Sequence, residues 1–339
     1  MKNVNIGLMG FGRIGRNLLR ISLDTPNIQI NTIADTADKE NLAYLLKYDS
    51  IYGTLEKEID LNNDGFTVGG QQINFFTWEE ASDTKWENEN VDFVIQATGK
   101  PQSKSECLEH INTGAKKVIL ASTPTNFTEI PIYVPGAHDF NFDFGSKVIS
   151  LGSNTSIAAG PVLKILDEEF GIFNAYISTI HGYSNSNRLS DVAGEGFRKN
   201  RAAGENIIPK MTQSAKVIEH AIPSLTDKIG SSSMNVPVPD GSTVDLTIHF
   251  KKEVNAKDVN TFLEQKSKGV LNGHIGVTKD PIVSSDVVGS QFSGIIDTLA
   301  TIGVGKDKLK LLIWFDNGWG YASQIIDLIR KISDEGKYE

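Results

Sequence analysis

Residues 6–20 read IGLMGFGRIGRNLLR, with Gly10, Gly12 and Gly15 set as G-x-G-x-x-G between a short apolar run and a helical pattern. A glycine at the first position permits a tight turn after a strand. The second lets backbone approach a pyrophosphate, and the third lets helix and strand pack closely. The helix that follows offers unpaired N–H groups and the positive end of its dipole to an anion. Twenty residues past Gly15, Asp35 ends a second apolar run, IQINTIAD. A carboxylate there accepts from a ribose 2′-hydroxyl and repels a 2′-phosphate, which selects NAD over NADP. The competing explanation, a glycine turn and an unrelated loop aspartate, leaves that spacing without a cause.

Working outward, VDFVIQATG, the helical SKSECLEHINTG, KKVILAS, IYVPG and KVISLGS continue an alternation of strand-like and helical segments to about residue 150. Such alternation implies right-handed βαβ units and a mostly parallel sheet. Thr98 and Gly99 of QATG fit the far side of the same crevice, although an ordinary strand-end turn would look similar. Beyond residue 170 the runs lengthen and alternate with period two. In VDLTIHF, Val244, Leu246, Ile248 and Phe250 share one face while Asp245, Thr247 and His249 share the other. That pattern predicts an antiparallel sheet covered on one side. YASQIIDLIRKISDE closes the chain as an amphipathic helix. The fold class is therefore α/β: a Rossmann domain over 1–152, an α+β domain with a mostly antiparallel sheet over 153–319, and a C-terminal helix, 320–339, returning to the first domain.

Composition narrows the function. The 339 residues carry a formal net charge of −9, against a nucleic-acid surface, which needs clustered Lys and Arg. Apolar runs such as KLLIWF fall far short of the ~20 residues that span a bilayer, and the first residues show no cleavage signal. Cys107 is the only cysteine, so no intrachain disulfide is possible. A cytoplasmic protein without nucleic-acid or membrane partners is expected. The spacing of His110, His138, His220, His249 and His274 suggests no metal site.

GFGRIGR, YDSIYG, NIIP, SSDVVGS and WFDNGWGY occur in the order and at the spacing of the phosphorylating glyceraldehyde-3-phosphate dehydrogenases, which the chain resembles over essentially its whole length. The resemblance implies a small-molecule substrate, NAD as cofactor, a mobile binding loop at about 183–205 and a homotetramer. It implies cofactor contacts from Gly10, Phe11, Gly12, Arg13, Ile14, Gly15, Asp35, Thr98, Gly99, Ser122 and Tyr321. Asn317 corresponds to the residue that holds the nicotinamide amide, followed by Gly318 where a glutamate is usual. His181, in STIHGYS, takes the place of the catalytic base.

The family's chemistry requires a cysteine thiolate at the start of a helix, which attacks the aldehyde and yields a thioester after hydride transfer. The matching stretch here is Ser153-Asn154-Thr155-Ser156-Ile157-Ala158-Ala159-Gly160. A branched hydrocarbon stands at the nucleophile position. Cys107, beside Glu106 in a helix of the first domain, is no substitute. Ser156 adjoins the lost site and is a candidate for substrate contact or, as the favoured alternative, for capping the following helix.

The substrate-phosphate side departs as well. Asn235 replaces an arginine, whose charge and bidentate fork grip phosphate. Ser186 replaces an aspartate and Gln213 a glycine. Ser184 and Thr212 keep their hydroxyls, and Lys199 and Arg201 retain charge for an anion or for loop packing. The expectation is an NAD-dependent oxidoreductase that has lost thioester formation and uses His181 as acid/base on a carbonyl/alcohol or imine/amine pair. The alternative is a silent NAD-binding paralogue, a sensor or a hetero-oligomer partner of an active one.

Overall fold

The computed structural model describes residues 3–138, 142–194 and 196–338. The chain divides into two compact units, Met1–Tyr133 with Phe140–Gly152 and Ala322–Glu339, and Val134–Asp139 with Ser153–Tyr321.

The first unit begins with β1 (Val4–Met9), α1 (Arg13–Ser22), β2 (Ile28–Ala34) and α2 (Lys39–Lys47). A two-residue hairpin, β3 (Tyr48–Asp49) with β4 (Gly53–Thr54), precedes β5 (Ile59–Leu61), β6 (Gly65–Val68) and β7 (Gln71–Phe76). Then follow β8 (Phe93–Gln96), α3 (Lys104–Asn112), β9 (Lys117–Leu120) and β10 (Val148–Ser150). The sheet order is β10-β9-β8-β1-β2-β7-β6-β5, with parallel pairing from β10 through β7. The central strands are buried on both faces, as parallel strands must be when helices cover them. Gly7 is required inside β1 because the Trp86 indole lies against it: an added Cβ would stand 2.6 Å from Cζ3. IYVPG forms no strand. It contributes only an isolated parallel bridge between Ile132 and Ser150, because Pro135 has no N–H with which to continue a ladder.

The second unit holds α4 (Asn154–Phe170), β11 (Ile172–Gly182), β12 (Ile208–Lys210), α5 (Ser214–Ala221), β13 (Ile229–Val236) and β14 (Ser242–Phe250). It continues through α6 (Ala256–Ser267), β15 (Ile275–Thr278), β16 (Gly294–Val304), β17 (Lys308–Phe315) and the start of α7 (Trp319–Asp334). The strand order is β12-β13-β11-β14-β17-β16-β15, antiparallel except for β13–β11 and β15–β16. In β14 the alternating set Val244, Leu246, Ile248 and Phe250 is buried, and α4 lies against β14, β16 and β17. Each such side chain withdrawn from water is worth about 1.5–3 kcal/mol, which fixes the register, since a one-residue slip would expose all four. In α7, Ile325, Ile326, Ile329 and Ile332 are buried, the spacing of one helical face.

Candidate functional site

The glycine turn is constrained at two positions and open at the third. Gly10 has φ +99°, and a Cβ there would lie 2.8 Å from the Thr98 nitrogen and 2.9 Å from the Ala97 carbonyl. At Gly15 a Cβ would stand 2.4 Å from the Gly10 oxygen, so no side chain fits. Around Gly12 there is nothing within 4 Å. Gly12 is also the N-cap of α1: it has no side chain to satisfy the helix's first N–H groups, and the first turn carries no acid. An open, uncapped helix start beside close-packed glycines suits the diphosphate of a dinucleotide.

Asp35, just past β2, accepts at Oδ2 from the Phe11 N–H (2.7 Å) and at Oδ1 from the Ala37 N–H (2.9 Å). Two backbone donors therefore aim the carboxylate, and each oxygen keeps a lone pair for a ribose hydroxyl. Phe11 is wholly buried, Arg13 and Ile14 open α1, and Thr98 and Gly99 lie exposed past the end of β8. Ser122 donates to the Lys100 carbonyl (3.1 Å) while its own carbonyl accepts from the Ser150 hydroxyl (2.8 Å), tying the loops after β8 and β9 to the end of β10.

At the start of α4 the chemistry is of another kind. Ser153 is the N-cap, and its hydroxyl accepts from the Ser156 N–H (3.2 Å). Ser156 Oγ accepts from the Ser153 N–H (2.8 Å) and donates to the Ser153 carbonyl (2.7 Å). The two serines form a reciprocal capping box. Ser156 is fully buried with its hydroxyl occupied there, so the structure gives it the capping role and not that of a substrate contact. Ile157 follows, 1% exposed, with its N–H on the Ser153 carbonyl.

His181 lies near the end of β11. Its Nδ1 donates to the Gly182 carbonyl at 2.6 Å, so the neutral ring carries its lone pair on Nε2, the nitrogen able to take a proton. The β11–β13 register sets His181 opposite Asn235. Asn317 is held from three sides. Its N–H donates to Asp240 Oδ1 (2.8 Å), its Oδ1 accepts from Ser242 Oγ, and its carbonyl accepts from Asn154 Nδ2. Its own Nδ2 is buried with no partner. A buried amide donor left unpaired is costly unless a ligand completes it, which fits the nicotinamide carboxamide implied by the resemblance. Ser242 and Asp240 belong to no motif in the sequence, where only the turn-forming Asp-Gly of VPDGS marks them. Asp316 caps α7 through the Gly318 and Trp319 N–H groups, and burial, reinforced by Asp240, pushes its carboxyl upward. Tyr321 is buried, its phenol likewise pushed up by burial.

The expected anion residues converge only in part. Asn235 Nδ2 donates to Asn187 Oδ1 (3.0 Å), which also accepts from the Ser184 N–H (2.9 Å); the asparagine is engaged internally. Arg201 pairs with Asp191 (Nε–Oδ2 3.0 Å) on the exposed loop, the loop-packing alternative. Thr212 shares a hydroxyl hydrogen bond with Ser214 at the start of α5 (2.8 Å). Only Lys199, Ser186 and Asn235 line one space, a cavity of about 940 Å³ whose wall also includes Lys210 and Met211. Cys107, in α3, is buried and burial pushes its thiol up to about 12. Among the described residues no cluster of three His, Cys, Asp or Glu side chains could hold a metal ion, and no helix is long and apolar enough to cross a membrane.

Residues 4–104 match the NAD binding domain of glyceraldehyde 3-phosphate dehydrogenase, and residues 153–317 its C-terminal domain. The chain is 40% identical over 327 residues to glyceraldehyde-3-phosphate dehydrogenase 2 of Streptomyces avermitilis, covering 96% of this chain and 97% of that one. It is 36% identical over 334 residues to the enzyme of Geobacillus stearothermophilus and 35% over 334 to glyceraldehyde-3-phosphate dehydrogenase 1 of Bacillus subtilis, covering 98% of this chain and 99% of each relative. With its NAD-binding and C-terminal domains both matched, this chain belongs to the glyceraldehyde-3-phosphate dehydrogenase family, with NAD as its cofactor.

Proposed function

We propose that this family member is an NAD-dependent oxidoreductase that no longer passes through a thioester. The observation that carries the proposal is Ile157: a buried hydrocarbon follows the capping serines, and no protonation state or neighbour makes it nucleophilic. Hydride exchange with a carbonyl/alcohol or imine/amine pair needs no covalent intermediate. With NAD bound, the nicotinamide would supply the hydride acceptor or donor. His181 Nε2 would take the substrate's O–H or N–H proton in the oxidative direction and return it in the reverse. The Nδ1–H bond to Gly182 supports that role, because it leaves Nε2 as the basic nitrogen. Asn317 Nδ2, oriented through Ser242 and Asp240, would hold the carboxamide.

The substrate is expected to be small and not dependent on a phosphate clamp, since Asn235 is turned to Asn187 and Arg201 to Asp191. A panel of small aldehydes, ketones and imines assayed with NADH tests this. Turnover should appear for at least one, and His181→Gln should lower kcat on the order of 10²–10⁴-fold. NADH binding with no turnover across the panel favours the second reading, a silent NAD-binding paralogue.

Exposed apolar residues bear on assembly in either reading. Leu189, Phe197 and Met211 are 93%, 95% and 93% exposed, more apolar surface than a lone chain usually leaves bare. We take them as contacts in a cytoplasmic homotetramer, or in a hetero-oligomer with an active paralogue. Native mass spectrometry of the protein purified from its own cells separates the two.

A further inference from the structure

A buried chain of hydrogen bonds runs from the core of the first unit to its cofactor side. Trp86 Nε1 donates to His110 Nδ1 at 3.0 Å, His110 Nε2 lies 2.9 Å from Gln96 Oε1, and Gln96 Nε2 donates to Thr98 Oγ1 at 3.3 Å. The direction of every bond follows from the first. An indole N–H only donates, so His110 Nδ1 must accept. The ring's proton then sits on Nε2 and is donated to the Gln96 carbonyl oxygen, which turns the amide nitrogen toward Thr98. Burial pushes His110 down to about 4, so the ring stays neutral near pH 7. The anchor is rigid: Trp86 is fully buried, wedged against Gly7 of β1 and edge-on to Trp78 (5.2 Å).

The consequence falls on Thr98. Its oxygen is already an acceptor, so its own proton is left to be donated. The residue is exposed, and its backbone nitrogen abuts Gly10 of the glycine turn. The diphosphate of a dinucleotide offers only acceptors, and a donor at that edge complements it. We infer that Trp86, His110 and Gln96 are positioning residues that set the Thr98 hydroxyl as a hydrogen-bond donor toward NAD.

The inference rests on NAD occupying the glycine turn, and the test separates the two. Equilibrium NADH binding is measured by fluorescence for the unaltered protein, Thr98→Val, Thr98→Ser, Gln96→Met and the Thr98→Val/Gln96→Met double variant. Thr98→Val and Gln96→Met should each weaken binding on the order of 10–100-fold, the size of one hydrogen bond to a charged group. Thr98→Ser should bind as the unaltered protein, and the double variant no worse than the weaker single, since both remove the same donor. Normal binding by Gln96→Met, or by Thr98→Val, overturns the relay alone. So does a Gln96→Met loss that persists undiminished when Thr98 is already valine. Failure of the unaltered protein to bind NADH overturns the cofactor reading and the relay with it. ¹⁵N-histidine NMR of the unaltered protein needs no variant to fold: His110 should appear as the Nε2–H tautomer at pH 7, and an Nδ1–H or cationic ring would overturn the chain of donors.

Discussion

The chain enters α1 and α4 alike, through an extended residue that becomes the N-cap, but the two starts are finished differently. At α1 the cap is Gly12, which supplies no side chain and leaves open space above it. At α4 the cap is Ser153, and it and Ser156 satisfy one another's N–H groups before Ile157 follows. A helix N-terminus attracts anions and thiolates only where its donors are unspent. One start is arranged for a ligand, the other is closed on itself and followed by a hydrocarbon. On the proposed reading, the chain keeps the family's cofactor half and has lost its covalent half.

The most direct way to break this contrast is to look for covalent chemistry at α4. With glyceraldehyde 3-phosphate, NAD and arsenate, NADH formation should stay at background, since deleting a nucleophile costs on the order of 10⁴–10⁶ in kcat. Intact-mass analysis of the quenched mixture should show an unmodified chain, and an adduct on any residue would restore the covalent half.

A subtler escape would be a relocated thiol. Cys107 is the only candidate, and with its thiol pushed up to about 12 its thiolate is scarce at pH 8. Iodoacetamide should label native Cys107 on the order of a thousandfold more slowly than a free cysteine of pKa about 8.5. Because the group stays protonated until about pH 12, the rate should rise about tenfold per pH unit from 7 to 10. Rapid, pH-independent labelling at pH 7 would mean that a reactive sulfur survives after all.

The open half is probed by its glycines. Gly15→Ala drives a methyl to 2.4 Å from the Gly10 oxygen, so it should cost about 1–3 kcal/mol of stability as overpacking does and lower the melting temperature. Gly12→Ala meets nothing, and Gly12 has an ordinary negative φ of −69°. It should cost stability only what an alanine N-cap costs, about 1 kcal/mol or less, and still weaken NADH by tenfold or more, because the methyl enters the ligand's space. Unchanged NADH binding by Gly12→Ala would show that the space over Gly12 has no ligand to lose.

These contrasts also mark what the sequence made legible. The glycine turn, Asp35 and the two faces of VDLTIHF were readable because each depends on neighbours within one or two elements and on a fixed period. Ile157 was readable because a nucleophile is a single atom type. Asn317's orientation was not: Ser242 and Asp240, which hold it, lie 75 and 77 positions earlier. Nor was the fate of Arg201, decided by Asp191 across the loop, or of Asn235, decided by Asn187. His110 shows the same limit. It matched no spacing motif, because its partners at 86 and 96 are assembled by the sheet.

The finest adjustment of the open half lies at Asp35. Its carboxylate already accepts from Phe11 and Ala37, and an asparagine can offer an acceptor to only one of those N–H groups without setting its own NH₂ against the other. Asp35→Asn should therefore lose about 1 kcal/mol of local order and the negative charge that faces a 2′-phosphate. Repulsion between that charge and a dianion about 5 Å away amounts to roughly 1–2 kcal/mol in water, or about a tenfold preference. The ratio of NADPH to NADH dissociation constants should accordingly fall by about tenfold in Asp35→Asn, and less so in high salt, where the charges are screened. If the ratio does not move, Asp35 serves only to shape the turn, and the discrimination between cofactors has to come from elsewhere at the edge of β2.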